Sequence, residues 1–408
     1  MNPLFTGKRI LLGITGSIAA YKAVYLASNL TKSGAEVDVI LTKAAQKFIT
    51  PLSFQSVTGR RAYVDQDLWS SQGHVLHIGL GKAAKLYAIV PITANSIAKL
   101  AHGIGDNLLS LTALAARCPI LIAPAMDGGM YLHPANQKNL EILRDRDAFV
   151  AGPVEGHLAS GLNGIGRMLE PEEIFGYIRQ ALAQHGPLKG KKVIITAGGT
   201  QERIDPVRVI TNRSSGKQGF ALAQAAIDLG ADVEIITAPV HLNTPTGAKR
   251  INVETAQEML EAVINSIPNA DVLIMAAAVA DFRPKSPAQE KIKKLNGIPT
   301  VQLETTPDIL NAVVELKREN KWSLVTVGFA AESQQLLENA RHKLETKTLD
   351  LIVANDISAK DSGFNVDTNR VTVINADGTA EPLPLLMKDQ VAIEIMKRIS
   401  SLLNNNEI

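Results

Sequence analysis

The chain contains 408 residues, enough for two or three domains that each bury a core. Apolar residues make up 46% and charged residues 20%, which excludes predominant disorder or a fibrous repeat. The 42 Lys and Arg side chains balance 40 Asp and Glu, so overall charge recruits neither nucleic acid nor anionic membrane. The single cysteine, Cys118, excludes an internal disulfide. With no secretion signal or membrane span in evidence, these features predict a cytoplasmic protein.

Short β-branched runs alternate with amphipathic segments, which predicts an α/β fold with helices on both faces of parallel sheets. In the first half, the pattern predicts a strand over Lys8–Ile14, a helix over Ala19–Lys32, strands over Ala35–Leu41, Leu86–Val90 and Pro119–Ala123, and a helix over Pro171–Gln184. This order predicts one doubly wound domain.

The segment His185–Gly190 is polar and rich in helix breakers, and the strand pattern KKVIITAGG restarts the alternation after it. We therefore predict a first domain over residues 1–186 and a second over residues 187–408. In the second half, the pattern predicts helices over Gly216–Leu229 and Ser333–Lys347, strands over Val233–Thr237, Val272–Ala276, Leu324–Gly328 and Leu351–Ala354, and a C-terminal helix from about Leu386.

The first predicted strand ends in a small-residue turn, GITGS, that precedes a helix. Small residues let the backbone approach a phosphate, and the helix start offers free N–H groups and a positive dipole end. The spacing differs from G-x-G-x-x-G, and the second strand ends in Thr42-Lys43, where an NAD site would place an acid. The pattern disfavours NAD and favours a mononucleotide such as FMN. The alternative is that these glycines only permit a tight turn.

Polar residues near later strands each have a structural alternative. Thr93–Ser96 and Asn107 open predicted helices, where they either bind a ligand edge or cap the helix. No cysteine or carboxylate cluster lies beside His74 and His77, which excludes a metal site. One of the two histidines is a general base or substrate contact, or both are structural. The glycine-rich region between Pro124 and Met168 predicts a long functional loop without secondary structure.

In the second half, the sequence SSGK precedes a helix, but its spacing from Gly198 is wrong for a Walker A motif. Further along, the KIKK sequence at Lys291–Lys294 places three ammonium groups in four positions. Such a cluster suits the charge of a triphosphate, and the alternative is a solvated basic loop.

Together and in this order, the motifs resemble one family over nearly the whole chain. They are GSIAAYK, HIGLGK, PAM, GRM-x-EP, TAGGT-x-E-x-IDPVR-x-ITN-x-SSGK-x-G, AAAVADF, EKIKK, TTPDIL, VGFAAE and LDLIVAND. The family is the bifunctional phosphopantothenoylcysteine decarboxylase and phosphopantothenate–cysteine ligase of coenzyme A biosynthesis. The resemblance implies a flavodoxin-like, FMN-binding first domain and a Rossmann-like, CTP-dependent second domain, both with three layers and parallel sheets.

For the first domain, the resemblance implies that FMN oxidises the thiol-bearing carbon of the substrate, which delocalises the charge left by CO2, and later returns the electrons. It makes His77 the active-site histidine. The residues that it places around FMN are Gly16, Ser17, Ile18, Thr42, Ala44, Thr93, Ala94, Asn95, Ser96, Ala125 and Met126.

Two positions depart from the best-known pattern of this family. Asp127 replaces the asparagine of PAMN, which is held to grip the substrate carboxylate; an ionised aspartate would repel that carboxylate unless a desolvated site kept it protonated. Ser160 replaces a reactive cysteine in A-C-G, and a thiol supplies a proton more readily than a hydroxyl does. We expect Ser160 to act through a relayed water, and Cys118 to be a packing residue.

For the second domain, the resemblance implies that phosphopantothenate attacks the α-phosphorus of CTP and that the cysteine amine then displaces CMP. It assigns Asn212 to the acyl-cytidylate carbonyl, Arg208 to the same step and Lys291 to the second half-reaction. Mg2+ would bridge the phosphates with few protein ligands. The residues that it places around CTP, besides Lys291, are Met275, Ala276, Ala277, Asp281, Pro307, Asp308, Ile309, Leu310, Phe329, Lys343 and Lys347.

Three hypotheses remain open from the sequence. The first is the bifunctional enzyme, which the resemblance makes a homo-oligomer of flavodomain trimers linked by ligase-domain dimers. The second keeps only the ligase and makes the N-terminal half a flavin-binding scaffold, with Asp127 and Ser160 marking lost chemistry. The third is an NAD-linked dehydrogenase with two Rossmann domains, which the missing acids after both second strands disfavour.

Overall fold

The structure is a computed structural model, and it describes residues 3–69, 75–293, 300–332, 335–356 and 366–405. The chain divides into two compact units, Met1–Gln184 and His185–Ile408. The predictions for His74, Lys294 and the start of the Ser333–Lys347 helix lie outside the described residues. No helix in the described ranges is long and apolar enough to span a bilayer.

Unit 1 alternates strands and helices in the predicted order. Its strands are β1 (Arg9–Ile14), β2 (Glu36–Leu41), β3 (Ala62–Val64), β4 (Leu86–Ile92), β5 (Ile120–Pro124), β6 (Phe149–Val150), β7 (Val154–His157) and β8 (Asn163–Arg167). Its α-helices are α1 (Ala20–Lys32), α2 (Pro51–Thr58), α3 (Leu76–Ala83), α4 (Ala94–His102), α5 (Leu108–Ala115), α6 (Gly128–Leu132), α7 (Pro134–Arg144) and α8 (Pro171–Ala183). Two short 3-10 helices cover Ala45–Lys47 and Asp65–Trp69.

The central sheet of unit 1 is parallel throughout, with the strand order β3-β2-β1-β4-β5-β6. Alternate residues of β1 enter different cores: Leu12 and Ile14 pack in the cluster with α1 and α8, whereas Leu11 packs in the cluster with α4 and α5. Strand order reverses between β1 and β4, and this reversal opens a crevice at the carboxyl ends of the strands. The predicted α/β, flavodoxin-like architecture is confirmed.

The prediction of a long loop without secondary structure between Pro124 and Met168 is wrong. This region contains α6, α7, the short strand β6 and the antiparallel hairpin β7–β8. Helix α7 buries Asn136, Leu140 and Leu143, which recur at the spacing of one helix face. That periodicity was the available signal, and the glycines around it obscured it.

Unit 2 repeats the alternation with more short strands. Its strands are β9 (Lys192–Ala197), β10 (Gln201–Arg203), β11 (Val209–Thr211), β12 (Asp232–Thr237), β13 (Ala248–Asn252), β14 (Val272–Met275), β15 (Phe282–Pro284), β16 (Leu303–Thr305), β17 (Val325–Glu332), β18 (Leu351–Asp356), β19 (Thr368–Asn369), β20 (Val371–Asn375), β21 (Ala380–Pro382) and β22 (Leu386–Met387). Its α-helices are α9 (Lys217–Asp228), α10 (Ala256–Ser266), α11 (Ile309–Asn320), α12 (Leu336–Thr346) and α13 (Lys388–Asn405), and a 3-10 helix covers Ile267–Asn269.

The main sheet of unit 2 has the order β13-β12-β9-β14-β17-β18-β20-β21. The first six strands in this order (β13, β12, β9, β14, β17 and β18) are parallel to one another, as predicted. Strands β20 and β21 form an antiparallel edge that the sequence did not predict. Separate apolar cores lie on its two faces, one with α9 and α13 and the other with α10 to α12. The hairpins β10–β11 and β15–β16 stand outside this sheet and follow the carboxyl ends of β9 and β14.

Candidate active sites

The small-residue turn after β1 is shaped by a close backbone approach. A Cβ atom added to Gly16 would lie 2.5 Å from the Cβ of Ala44, so only glycine fits here. No side chain caps the start of α1, which leaves a positive helix end beside this turn. The Ser17 hydroxyl accepts a hydrogen bond from the Ala19 amide at 3.3 Å. Small residues, N–H groups and a hydroxyl together fit the phosphate of a flavin mononucleotide.

A threonine joins the two strands on either side of the crevice in unit 1. Thr15 Oγ1 donates to the Pro91 carbonyl oxygen at 2.9 Å and accepts from the Thr93 amide at 3.0 Å. The Thr93 hydroxyl donates to Ser96 Oγ and makes no capping bond to α4. On the adjacent strand, the Thr42 hydroxyl accepts from the Ala45 amide. These contacts bring the predicted residues of β1, β2 and β4 to one end of the sheet.

The remaining predicted flavin residues follow the same strand ends. Ala94 and Asn95 begin α4, directly after Thr93. Ala125 is buried after β5, and its amide donates to the Ile92 carbonyl oxygen at 3.1 Å. Ile18 is 57% exposed, which leaves an apolar side chain beside the polar turn. An exposed apolar group at the end of a sheet offers a surface for a flat, partly apolar cofactor.

Two other predicted positions in unit 1 have different outcomes. Asn107 caps α5, because its side chain accepts from the Ser110 amide at 2.9 Å. Helix capping, the alternative to ligand binding, therefore accounts for Asn107. Cys118 is half-buried and packs against the core that contains Tyr87, and this burial raises the pKa of its thiol. A thiol with a raised pKa in a packed position is a poor proton donor or nucleophile.

His77 lies in the first turn of α3, and its Nδ1 atom is buried without a hydrogen-bond partner in the described structure. A buried polar atom without a partner costs about 1–3 kcal/mol, so a bound molecule that supplied one would gain that energy. The described contacts do not bring His77 into hydrogen-bond contact with the residues predicted to surround FMN. The Nδ1 atom of His77 is therefore not that of a hydrogen-bonded structural histidine.

Asp127 and Ser160, the two departures from the family pattern, contact each other. The Ser160 hydroxyl donates to Asp127 Oδ2 at 2.9 Å, and Asp127 Oδ1 accepts from the Gly129 amide at 2.9 Å. Asp127 is thereby the N-cap of α6, while Ser160 lies in the turn of the β7–β8 hairpin. The contact is direct, without a water between the two side chains.

Glycines fix the hairpin against the loop that carries Asp127. Gly166 has a φ of +136°, and a Cβ added there would lie 2.2 Å from the Met126 carbonyl oxygen. The Met126 amide donates to the Gly166 carbonyl oxygen at 3.1 Å. Because this approach anchors β8 and β7 pairs with β8, the Ser160 turn is held beside Asp127.

Unit 2 contains a cavity of about 1200 Å³ at the carboxyl ends of β14 and β17 and at the start of α9. Asn212 lines it, and its side-chain Nδ2 atom donates to the backbone carbonyl oxygens of Ala278 and Val279 at 3.3 and 3.1 Å. The residues predicted to surround CTP that line the cavity are Met275, Ala276, Ala277, Asp281, Pro307, Asp308, Ile309, Leu310, Phe329, Lys343 and Lys347.

Two lysines that line the cavity form ion pairs with carboxylates. Lys217 donates to Asp367 at 2.6 Å, and Lys347 contacts Asp308. Burial alone would raise the pKa of Asp308, but the hydrogen bond from Lys347 and one from the Asn311 amide outweigh it, so the pKa is lowered. Burial lowers the pKa of Lys388, which is 7% exposed; Lys217 adds to this effect and Asp367 opposes it. A buried ammonium group in a cavity favours an anionic ligand.

Arg208 and Lys291 do not line this cavity. Arg208 lies in the turn of the β10–β11 hairpin, which leads to Asn212. Lys291 lies in the segment after β15, and the backbone of the next residue, Ile292, contacts that turn. The structure therefore brings Arg208 and the Lys291 segment together, beside the cavity and next to the buried Asp205.

Asn355, at the carboxyl end of β18, lines the cavity but was not assigned a role from the sequence. It is 8% exposed, and its Oδ1 atom has no hydrogen-bond partner among the described residues. The LDLIVAND motif was the signal that could have identified it. Lys388 and Asn369 also line the cavity, and no motif pointed to them. Within the described ranges, no group of three or more His, Cys, Asp or Glu side chains is arranged to hold a metal ion.

Two sequence families match the chain, one over each unit. Residues 4–183 match the family described as Flavoprotein. Residues 188–403 match the DFP family, described as the DNA/pantothenate metabolism flavoprotein C-terminal domain. The coenzyme A biosynthesis bifunctional protein CoaBC of Bacillus subtilis (strain 168) is 44% identical over 402 residues, which cover 98% of each chain.

The chain belongs to the CoaBC family of bifunctional coenzyme A biosynthesis proteins. The CoaBC protein of Vibrio cholerae serotype O1 is 46% identical over 398 residues, or 96% of this chain and 98% of that protein. A crystal structure of the C-terminal domain of a CoaBC protein is 43% identical and covers 54% of this chain and 99% of its own, with a TM-score of 0.46. Membership of the CoaBC family confirms the resemblance on which the sequence analysis relied.

Proposed function

We propose that the chain catalyses two consecutive steps of coenzyme A biosynthesis. In unit 2, 4′-phosphopantothenate, cysteine and CTP give phosphopantothenoylcysteine, CMP and pyrophosphate. In unit 1, phosphopantothenoylcysteine loses CO2 with the aid of FMN and gives 4′-phosphopantetheine. The cavity of unit 2 carries the proposal, because every residue predicted to surround CTP lines it except Lys291.

In unit 2, the ligation needs a leaving group on a carboxylate, and transfer of the cytidylyl group from CTP supplies one. The ammonium groups of Lys217, Lys343 and Lys388 would offset the charge of the triphosphate and stabilise the departing pyrophosphate. Asn212 would hold the acyl carbonyl, with Arg208 assisting the same step, and Lys291 would act when the cysteine amine displaces CMP. Mg2+ would accompany CTP and offset part of the charge of its phosphates.

Asn355 would supply specificity to the cavity. Its buried carbonyl oxygen accepts from no described residue, so an entering ligand N–H or O–H group would satisfy it. A site built around a buried acceptor discriminates strongly against ligands that lack the matching donor. The base of CTP and the hydroxyls of phosphopantothenate both carry such donors.

In unit 1, bound FMN would supply a reversible two-electron oxidation of the thiol-bearing carbon of the substrate. Gly16, Ser17, Ile18, Thr42, Ala44, Thr93, Ala94, Asn95, Ser96, Ala125 and Met126 would hold it. His77 would contact the substrate through its unpartnered ring nitrogen. Ser160 would give its hydroxyl proton to the substrate carbon after CO2 leaves, and Asp127, as a neutral carboxyl group in contact with that hydroxyl, would give its own proton to the serine oxygen.

The test supplies the purified protein with phosphopantothenate, cysteine and CTP and follows pyrophosphate and CO2. We expect both products in equal amounts, and no pyrophosphate when ATP replaces CTP. Phosphopantothenoylcysteine supplied alone should release CO2 without CTP. A protein that releases neither product under these conditions would refute the proposal.

A second candidate is a CTP-dependent ligase whose flavin-binding unit is only a scaffold. The replacement of the family's asparagine and cysteine by Asp127 and Ser160 favours it. The same experiment distinguishes the two, because a scaffold would give pyrophosphate and bind FMN but release no CO2. The direct Asp127–Ser160 contact supports the bifunctional proposal, since it preserves a proton-holding group at the two altered positions.

We also propose that the protein is cytoplasmic and forms a homo-oligomer through trimers of unit 1 and dimers of unit 2. Large apolar side chains on α1 and α2 support contacts between copies of unit 1, because Tyr21, Tyr25 and Leu52 are all more than half exposed. Light scattering of the intact chain, compared with a variant carrying serine at these three positions, tests this assembly. A wild-type protein that is monomeric at micromolar concentration would contradict it.

A further inference from the structure

Asp205 occupies the turn between β10 and β11, and protein donors surround its carboxylate. Oδ1 accepts from the Val207 and Arg208 amides at 2.8 and 2.9 Å. Oδ2 accepts from Arg208 Nε at 2.9 Å, from Arg208 Nη2 and from the Ile292 amide at 3.1 Å. The side chain is 0% exposed. Because these five donors use the lone pairs of the carboxylate, Asp205 is not available to a substrate or a metal ion.

The donors come from two parts of the chain that are distant in sequence. Arg208 lies in the same turn, and β11 carries the chain from there to Asn212 at the cavity. Ile292 lies in the segment that leaves β15 and carries Lys291. Arg208 Nη2 also donates to the Ile292 carbonyl oxygen at 3.1 Å, and the Ala288 amide donates to the Ile204 carbonyl oxygen at 2.9 Å. The segment from Ala288 to Ile292 is thus bound to the turn at both ends.

We infer that Asp205 is a positioning residue for ligation, which holds the Arg208 guanidinium and the Lys291 segment in register with each other. This inference rests on the proposed function of unit 2. The Asp205 carboxylate positions both Arg208 and the segment that carries Lys291. These two side chains are assigned to different half-reactions, so both half-reactions depend on Asp205. The contact with Arg208 lowers the pKa of Asp205, outweighing burial, and the three amide donors add to the effect.

The test substitutes Asp205→Asn, which keeps the shape of the side chain. The amide oxygen can still accept from the amides of the turn, but the NH2 group faces the N–H groups of Arg208 and Ile292, donor against donor. We expect pyrophosphate release without cysteine, and CMP release from the accumulated acyl-cytidylate on adding cysteine, each to fall at least tenfold. Lys291→Gln should reduce only the second measurement. Arg208→Gln should reduce the first more than the second, because Arg208 also donates to the Ile292 carbonyl oxygen.

A readout independent of turnover reports the segment itself. In the ligand-free protein, trypsin should cleave after Lys291 or Lys293 several times faster in D205N than in the wild type. The matched control is Asp377→Asn, because Asp377 also accepts from a turn amide and a hydroxyl, those of Thr379, but lies at the antiparallel edge of the sheet. D377N should leave both half-reactions and the cleavage rate unchanged.

A second variant tests the positioning role of Asp205 if D205N fails to fold. Ile292→Pro removes the amide proton that Asp205 accepts and leaves the Asp205–Arg208 pair in place. It should lower CMP release and spare pyrophosphate release, whereas general unfolding would lower both equally. The inference is overturned if folded D205N keeps both half-reactions within twofold of wild type, or if I292P affects both steps alike. A wild-type protein that releases no pyrophosphate refutes the proposed function instead.

Discussion

Ser160→Ala separates a chemical role of the Asp127–Ser160 pair from a structural one. Ser160 is exposed in a hairpin turn, so loss of its hydrogen bond to Asp127 should reduce the free energy of unfolding by about 1 kcal/mol or less. For a unit of this size, that corresponds to a fall in melting temperature of about 2–4 °C. Loss of a positioned proton carrier, in contrast, lowers a rate by about 100-fold or more. The two roles therefore differ by far more than the error of either measurement.

The assay supplies phosphopantothenoylcysteine and follows CO2 by single-turnover kinetics, with flavin absorbance as the check that FMN is bound. Ser56→Ala is the matched control, because the Ser56 hydroxyl is also exposed and donates only to the Leu52 carbonyl oxygen within α2. We expect S56A to match the wild type. If S160A decarboxylates within about threefold of the wild type, Ser160 carries no proton and the reasoning is wrong.

The converse variants test whether the two altered positions work as a pair. Asp127→Asn should keep the cap of α6, because an amide oxygen also accepts from the Gly129 amide. It should lower kcat, since an amide cannot return a proton to the Ser160 hydroxyl. D127N/S160C restores the family's usual pair and should recover most of kcat, because a thiol releases a proton readily. If the loss of kcat in D127N/S160C equals the sum of the losses in the two single variants, expressed as free energies, the two positions are not coupled.

Three further predictions test the flavin turn, the ligase cavity and the pH dependence of unit 1. Gly16→Ala places a methyl group 2.5 Å from Ala44 Cβ and should abolish the visible flavin absorbance of the purified protein, whereas Gly79→Ala, with no atom within 4 Å, should retain it. Asn355→Ala should raise KM for CTP or phosphopantothenate about tenfold. It should not lower the melting temperature, because the removed oxygen accepts from no described residue. An unchanged KM for both substrates would count against the cavity assignment. Hydrogen bonds from Lys22 and then Arg167 lower the pKa of Glu170, so its stabilising effect is complete above the ordinary glutamate pKa of about 4.5 and is lost as pH falls below that value. Glu170→Gln should therefore lower the urea midpoint at pH 7 but not at pH 3, and an equal loss at both would refute this.

The sequence was most informative where periodicity and strand ends determine structure. Buried strands such as β4 and the helices beside them follow from apolar patterning, and parallel strands bring their carboxyl ends to one edge of the sheet. This explains why Thr93 could be considered a ligand contact from its place after a strand, whereas Met275 was assigned only through the resemblance to the family. The CTP residues also depended on recognising the family, since spacing alone left a solvated basic loop as an equal alternative.

The features that sequence analysis missed depend on contacts between distant segments. The Asp127–Ser160 hydrogen bond exists because Gly166 lets the β7–β8 hairpin approach Met126, and no local pattern encodes that approach. The role of Asp205 is similar, because its partner Ile292 lies 87 positions away. Lys388 enters the cavity only because the antiparallel edge of the sheet returns the chain to the start of α13.

The lysines of the ligase cavity have a consequence for turnover. Lys217 and Lys347 each have a carboxylate partner, Asp367 and Asp308, within the protein. An arriving polyphosphate therefore exchanges one counter-ion for another, and the gain in Coulomb energy is smaller than bare ammonium groups would give. When pyrophosphate departs, the same carboxylates return to their lysines and lower the barrier to its escape. On the proposed function, the site would therefore retain the nucleotide less tightly and release the inorganic product faster.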